Sequence, residues 1–305
     1  MNIKNILRNN MGIYQSYLYV IQAYNKLRYK LCKTDEQRIA LIKSEYKRYT
    51  KMELSWPPIL YTEKIQYSKL FDSNREKSDL TDKWKVREWV KERIGEEYLI
   101  PLLGVWNAFE DINFDNLPDK FVLKTNHASA TNVIVENKRE LDTNKTKKKF
   151  NFWMKLDFAY AGKGFEMHYS DINPKIIAEE YIVDSNGELN DYKFLCFNGQ
   201  PYFCWVDVGR HNDHRRNVYN MKWELQDWRQ FSYLNTDAPL SKPQNFEKMI
   251  EIAGMLSKGF AHVRVDLYNV DGKIYFGEMT FTNGKGYELI IPESANKMLG
   301  DLWDL

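Results

Sequence analysis

Apolar and polar residues fall into strand-like runs through the second half of the chain, with turn residues between them. Tyr192 to Phe197 and Pro201 to Val208 flank Asn198-Gly199, a dipeptide suited to the left-handed backbone of a two-residue hairpin turn. Ala261 to Tyr268 and Lys273 to Glu278 flank Asp271-Gly272 in the same way, which predicts a second hairpin. Between them, Phe246 to Leu256 has the amphipathic spacing of a helix. Phe121 to Lys124 reads as a short strand, and Thr125 to Ala130 as a polar, small-residue loop. Ile176-Ile-Ala178 runs into Glu179-Glu-Tyr-Ile182, and Ser185-Asn-Gly187 is a turn. Lys138 to Lys149 is a highly basic connection, read as a solvated helix or loop.

The first half follows a different grammar. Residues 1 to about 50 contain no proline and favour helix formers, so they read as one helical run stopped by Trp56-Pro57-Pro58. A second helical stretch carries Trp84, Val86, Trp89, Val90 and Ile94, with Gly95 placed to end it. Tyr98 to Val105 reads as strand or loop, and Leu117-Pro118-Asp119 as a turn that closes the first domain. Helices first and mixed strands afterwards predict an α+β architecture.

With 305 residues, 43% of them hydrophobic, the chain has material for one multi-lobed unit or two domains. The 44 Lys and Arg balance 42 Asp and Glu, so no nucleic-acid partner is expected. Cys32, Cys196 and Cys204 are odd in number and lack ligand spacing, which argues against a disulfide framework or structural zinc. The N-terminal segment lacks a cleavage site, and the expected location is the cytoplasm. The first fifty residues carry ten Lys or Arg against three Asp or Glu, and Ile13, Leu18, Ile21 and Leu27 are placed to line one side of a helix. The pattern favours an extension packed on the rest of the protein with a solvated basic face. The alternative is a surface-seeking helix in weak peripheral contact with anionic lipid at the inner face of the membrane.

Asp266 and Glu278 are the most informative pair, since each sits among strand residues expected to be buried. A register symmetric about Asp271-Gly272 brings them near one another, where a magnesium ion would offset their repulsion. The structural alternative pairs one of them with Arg264 and leaves the other exposed. Lys124 ends a strand beside the Ala128-Ser-Ala130 loop and is suited to phosphate, or equally to a strand edge in water. Glu179, Glu180, Tyr181 and Ile182 form a segment that can present backbone groups and apolar contact to an adenine ring. Asp191 and Lys193 share one strand face, and Lys193 is a second candidate cation for nucleotide phosphates. Arg210, His211, His214, Arg215 and Arg216 make a dense cationic cluster, read either as a solvated loop or as an anionic-substrate site. Asn283-Gly-Lys-Gly286 permits close backbone approach to a phosphate or carboxylate. His127 and His262 rank below the lysines and carboxylates, as structural polar groups.

Taken in order, Phe-Val-Leu-Lys124-Thr-Asn-His127, Ile-Ala-Glu179-Glu-Tyr-Ile182, Asn190-Asp-Tyr-Lys193-Phe, Val-Arg264-Val-Asp266-Leu and Gly-Glu278-Met-Thr280-Phe-Thr-Asn-Gly284 closely resemble the TupA-like branch of the ATP-grasp superfamily. That branch is associated with bacterial surface-polysaccharide and teichuronopeptide biosynthesis. The likeness extends from about Lys83 to Gly286. It implies two α+β lobes clasping ATP, at about 121–180 and 181–305, after a helical extension over 1–70 and a preceding region over 71–120. It also implies ATP and Mg2+ as cofactors, with Lys124 and Lys193 on the phosphates, Glu179 to Ile182 and Asp191 around the nucleotide, and Asp266 and Glu278 on the metal. Arg264 would steady the transferred phosphate or acyl phosphate; Lys193, and Arg210 from the cationic cluster, complete the catalytic candidates. Thr280 stands where many relatives have Asn, and offers one oxygen to metal. The implied reaction is ADP-forming ligation of a carboxylate, carried by a sugar or polysaccharide precursor, to a small amine or amino acid. Phosphoryl transfer to a sugar or polyol hydroxyl is the alternative, and glycosyl transfer a third.

Overall fold

The computed structural model of the chain describes residues 11–209 and 213–305. The N-terminal region is helical but is not one run. α1 (Met11–Leu31) and α2 (Asp35–Thr50) are separate because Thr34 accepts from the Gln37 N–H while the Gln37 side chain accepts from the Thr34 N–H, a reciprocal cap that starts a new helix. The four apolar positions expected to share one side of the first helix also divide. Leu18 and Ile21 are half-buried, whereas Ile13 and Leu27 are exposed.

α3 (Tyr61–Phe71) lies at the end of the expected helical extension, α4 (Arg75–Thr81) has no counterpart in the sequence pattern, and α5 (Val86–Ile94) follows, ended by Gly95. α3 is buried nearly all round, and its Glu63 carboxylate accepts the N–H groups of Ser55, Ile59 and Leu60 at 2.8–3.0 Å. A helix whose polar groups are satisfied internally lacks the one-sided stripe that pattern reading looks for.

β1 (Leu102–Trp106), β2 (Phe121–Thr125), β3 (Asn132–Val135) and β4 (Ile176–Glu180) form an antiparallel sheet in the order β1-β4-β2-β3. One face, with Phe121, Leu123, Ile176 and Ala178, packs on Phe150 of α6 (Thr143–Trp153), the helix within the basic connection. The other face carries Val122, Lys124 and Glu179 toward a cleft.

The second sheet runs β10-β9-β5-β6-β7, from β5 (Asp191–Phe197), β6 (Gln200–Val208), β7 (Arg215–Asn220), β9 (His262–Val270) and β10 (Lys273–Thr280). β8 (Arg229–Gln230) and β11 (Ile290–Ile291) make a short separate pair. Both expected hairpins form, with positive φ at Asn198, Gly199, Asp271 and Gly272. Tyr192, Phe194, Val263, Val265 and Leu267 pack one face of this sheet against α7 (Phe246–Ser257). The opposite face is divided along the strands. Leu195, Phe197 and Trp205 are covered by α3 and by α8 (Glu293–Asp301), while Asp191, Lys193, Asp207 and Asp266 occupy the cleft end of the same strands. The architecture is therefore α+β with two sheets, and the cleft lies between them. Among the described residues no helix is long and apolar enough to cross a membrane.

Candidate active site

The floor of the cleft is a row of side chains set by strand register. Lys193 on β5 pairs with Asp266 on β9, and Asp266 pairs with Glu278 on β10. The symmetric register expected of the hairpin does not produce this row. Val270 pairs with Lys273 and Leu267 with Phe276, which would carry Asp266 opposite Gly277. A bulge between Phe276 and Glu278 shifts the strand by one residue, so that Glu278 faces Asp266 and Thr280 faces Arg264. The parity change matters because Phe276 faces the core on α7, and an unbulged strand would send Glu278 there too. Gly277 suits the bulge: a Cβ would lie 3.0 Å from Asp266 O and 3.2 Å from the Tyr268 ring.

Charges in this row are tightly engaged. Lys193 Nζ donates to Asp191 at 2.5 Å and to Asp266 Oδ2 at 2.8 Å, and lies 3.8 Å from Asp207. Arg264 donates through Nε and Nη2 to both oxygens of Asp266, at 2.6 and 2.7 Å. Its Nη2 also reaches Glu278 at 3.3 Å and Thr280 Oγ1 at 3.0 Å, and its Nη1 donates to Asn283. The two structural alternatives for Asp266 thus merge: it pairs with Arg264 and still lines the cleft beside Glu278. Burial pushes the Asp266 carboxyl above its ordinary value, against the opposing pull of Arg264 and Lys193. For Glu278, burial acts upward as well, but Lys83, Arg264 and Lys193 overcome it and hold the group at about 2.

The facing wall comes from the smaller sheet and the segments before it. Lys124 forms an ion pair with Glu179, whose Oε1 accepts from Arg87 Nη1 at 3.1 Å. The Glu179 carboxylate therefore aims Lys124. The Glu180 N–H is donated to Pro101 O at 3.1 Å, Tyr181 OH reaches Glu136 at 3.4 Å, and Tyr181 and Ile182 line the cleft. Lys83, which sequence reasoning did not single out, donates to Ala128 O at 2.8 Å and lies 3.5 Å from Glu278 Oε2. It links the 125–130 loop to the cleft floor. The loop itself is anchored by Asn126, which donates to Asp82 and to Asn173 O, and by His127, which meets Trp153 O at 3.2 Å.

Not every expected residue joins this group. Arg210 and His211 lie outside the described residues. Arg216 does not offer its charge to a substrate: it is buried and paired with both oxygens of Asp207. Arg215 pairs with Asp213 at 2.7 Å. His214 does line the cleft, with Nε2 3.5 Å from Asp207 Oδ2. Asn283 and Lys285 turn to Arg264 and Glu166. His262 is held by Tyr61 OH at 3.1 Å and Cys196 O at 2.9 Å, a structural role.

The cavity between the walls has a volume of about 1560 Å³, room for a nucleotide and a second substrate. Its chemistry fits a hard divalent ion: Asp266 and Glu278 are adjacent oxygen donors lining the cavity. Among the described residues no three His, Cys, Asp or Glu side chains are grouped as a self-sufficient metal site, so an ion here would depend on phosphate oxygens for further ligands. Thr280 Oγ1 is turned to Glu278 Oε1 at 3.3 Å.

No curated protein matches the sequence. Solved structures similar in fold include D-alanine–D-alanine ligase from Bacillus anthracis complexed with ATP, at 18% identity over 73% of this chain and 63% of that one, TM-score 0.43. Phosphoribosylamine–glycine ligase from Thermotoga maritima matches at 12% identity over 67% of this chain and 48% of that one, TM-score 0.39. The ATP-grasp ligase PsnB, complexed with a minimal precursor, matches at 10% over 75% and 62%, TM-score 0.40. The chain thus spans less than two thirds of the length of these relatives. The family model for TupA-like ATP-grasp proteins matches residues 63–304, from the buried helix α3 through both walls of the cleft to α8, and the chain belongs to that family.

Proposed function

We propose that the protein is an ATP-dependent carboxylate–amine ligase that works through an acyl phosphate. The observation that carries the proposal is the row Lys193, Asp266 and Glu278 on one sheet, faced by Lys83 and Lys124 across a cleft large enough for two substrates. In the reaction an oxygen of the acceptor carboxylate attacks the γ-phosphorus of ATP and ADP leaves. The amine then attacks the acyl carbon, phosphate leaves, and the amine gives up a proton.

Each step asks for something these residues supply. Lys124, aimed by Glu179, and Lys83, anchored on Ala128 O, offer positive charge to the phosphate tail without first ordering a long segment. Arg264, buried and bonded to Asp266, Glu278, Thr280 and Asn283, holds the carboxylate row of the cleft floor in one arrangement. Asp266 and Glu278 would hold Mg2+, which when bound offsets phosphate charge. His214, which lines the cleft and packs edge-on against Tyr233, is the group we assign to take the proton lost by the amine.

The finer reading is a carboxylate carried by a sugar or polysaccharide precursor, joined to an amino acid or other small amine during surface-polysaccharide synthesis. It rests on the resemblance to the TupA-like branch. Incubation with ATP, Mg2+ and matched uronate and amine substrates is expected to yield ADP, phosphate and an amide identified by mass. Hydroxylamine in place of the amine should give a hydroxamate. Formation of AMP, or of a phosphate ester with no hydroxamate, would overturn the proposal.

A further inference from the structure

We propose that the solvent side of α1 is a docking surface for an anionic lipid bilayer, with the helix lying flat in the headgroup region. The helix has two faces. Asn25 is buried and donates to Tyr160 O at 2.9 Å, Gln22 accepts from the Asp157 N–H at 2.8 Å, and Tyr29 packs on Tyr160 and Phe165. These contacts seat one face on the protein. The opposite face is where a docked helix ordinarily turns polar residues to water. Here it presents Tyr17, Val20, Tyr24, Leu27 and Leu31, spaced alternately by three and four residues, with Val20 66%, Leu27 58% and Leu31 64% exposed. A contiguous apolar stripe of this length on a solvent face calls for a covering partner.

Charge decides which partner. The first 34 residues hold six Lys or Arg and no Asp or Glu. Lys30 and Lys33 are exposed at the end of the stripe, Lys26 pairs with Asp157 and Arg28 with Glu45. The adjoining helix α6, joined to α1 by the edge-to-face contact of Tyr19 and Phe152, adds Lys145, Lys147, Lys148 and Lys149 with no acidic residue. Of these, Lys147 pairs with Glu110. A second copy of the chain laid parallel on the stripe would set Lys30 and Lys33 of one chain against those of the other, whereas anionic headgroups complement them. Tyrosines and leucines flanked by lysines are the composition of a helix at a membrane interface. The inference is independent of the ligase reading, since none of these residues lines the catalytic cleft.

The test is co-sedimentation of the full chain with vesicles of phosphatidylcholine alone and of phosphatidylcholine with about one quarter phosphatidylserine, at low and high salt. Binding is expected to the anionic vesicles, weakened by salt. The double variant Leu27→Gln and Leu31→Gln should reduce the partition coefficient by roughly tenfold or more, with thermal stability and ATP turnover unchanged because both side chains are exposed. Lys30→Glu with Lys33→Glu should weaken the preference for anionic vesicles, and an unchanged preference would overturn the proposal. Absence of vesicle binding would overturn the proposal, as would binding indifferent to the leucine substitutions. So would stripe-dependent self-association without vesicle binding, read by light scattering, which would assign the stripe to a second copy of the chain.

Discussion

Replacing Lys193 by Met removes the cation that Asp191, Asp266 and Asp207 share, at 2.5, 2.8 and 3.8 Å, while keeping most of the side-chain volume. Breaking a buried pair by deleting one partner costs about 3–5 kcal/mol. The lower end applies, because Asp266 keeps Arg264 and Asp207 keeps Arg216. The loss must also depend on pH with a defined sign. Burial already holds the Asp266 carboxyl above its ordinary value, and Lys193 is one of the groups pulling it down. Without Lys193 it rises further. A carboxyl whose folded value is raised destabilises the folded state as pH climbs through its ordinary value toward the raised one. The deficit of Lys193→Met is therefore expected to be about 3 kcal/mol at pH 7.5 and smaller near pH 4.5. Urea unfolding at both pH values measures it. A deficit below about 1 kcal/mol that is the same at both pH values would refute the shared-cation account.

Two further outcomes follow from the same structure. His127 and His168 are held down to about 4 and His262 to about 3, in each case first by burial. The unfolded chain therefore takes up their protons below about pH 6.5 while the folded chain does not, and stability should fall by several kcal/mol (roughly 3–6) between pH 7 and pH 5, with uptake of up to about three protons on unfolding; a flat stability profile over that range would contradict the three neutral histidines. Gly277→Val would drive a side chain into Asp266 O and the Tyr268 ring, at 3.0 and 3.2 Å from the Cβ alone. It should cost about 1–3 kcal/mol and abolish ATP turnover through loss of the bulge; wild-type turnover in a folded variant would show that the bulge does not set the site.

The hairpins were legible because Asn198-Gly199 and Asp271-Gly272 carry their own local reason to turn between two strand-like runs. The charged strand positions were legible for a similar reason: a carboxylate among core residues, such as Asp266, signals a second use for the strand. The bulge was not legible. Its glycine interrupts Phe276 and Glu278 without altering composition, and only the observed pairing shows that the strand has shifted by one. Lys83 and Arg87 were missed because each meets its carboxylate across a long stretch of chain, Glu278 and Glu179 respectively, and nothing local distinguishes them from solvated lysine and arginine. Arg216 misled for the converse reason. Its sequence neighbours are cationic, but its partner Asp207 comes from the adjacent strand and uses up its charge. For α1 the pattern gave helix and basic charge but not which face would dock, because both faces carry apolar side chains.

Asp266 and Glu278 are proposed to act together in holding a divalent ion against the phosphates of a nucleotide in the cleft, and calorimetric titration with a non-hydrolysable ATP analogue, with and without Mg2+, is the decisive measurement. For the wild-type chain Mg2+ should tighten binding by roughly tenfold or more, and in Asp266→Asn with Glu278→Gln that enhancement should vanish while the protein stays folded. An equal magnesium enhancement in the double variant, or no nucleotide binding by the wild-type chain, would contradict the account.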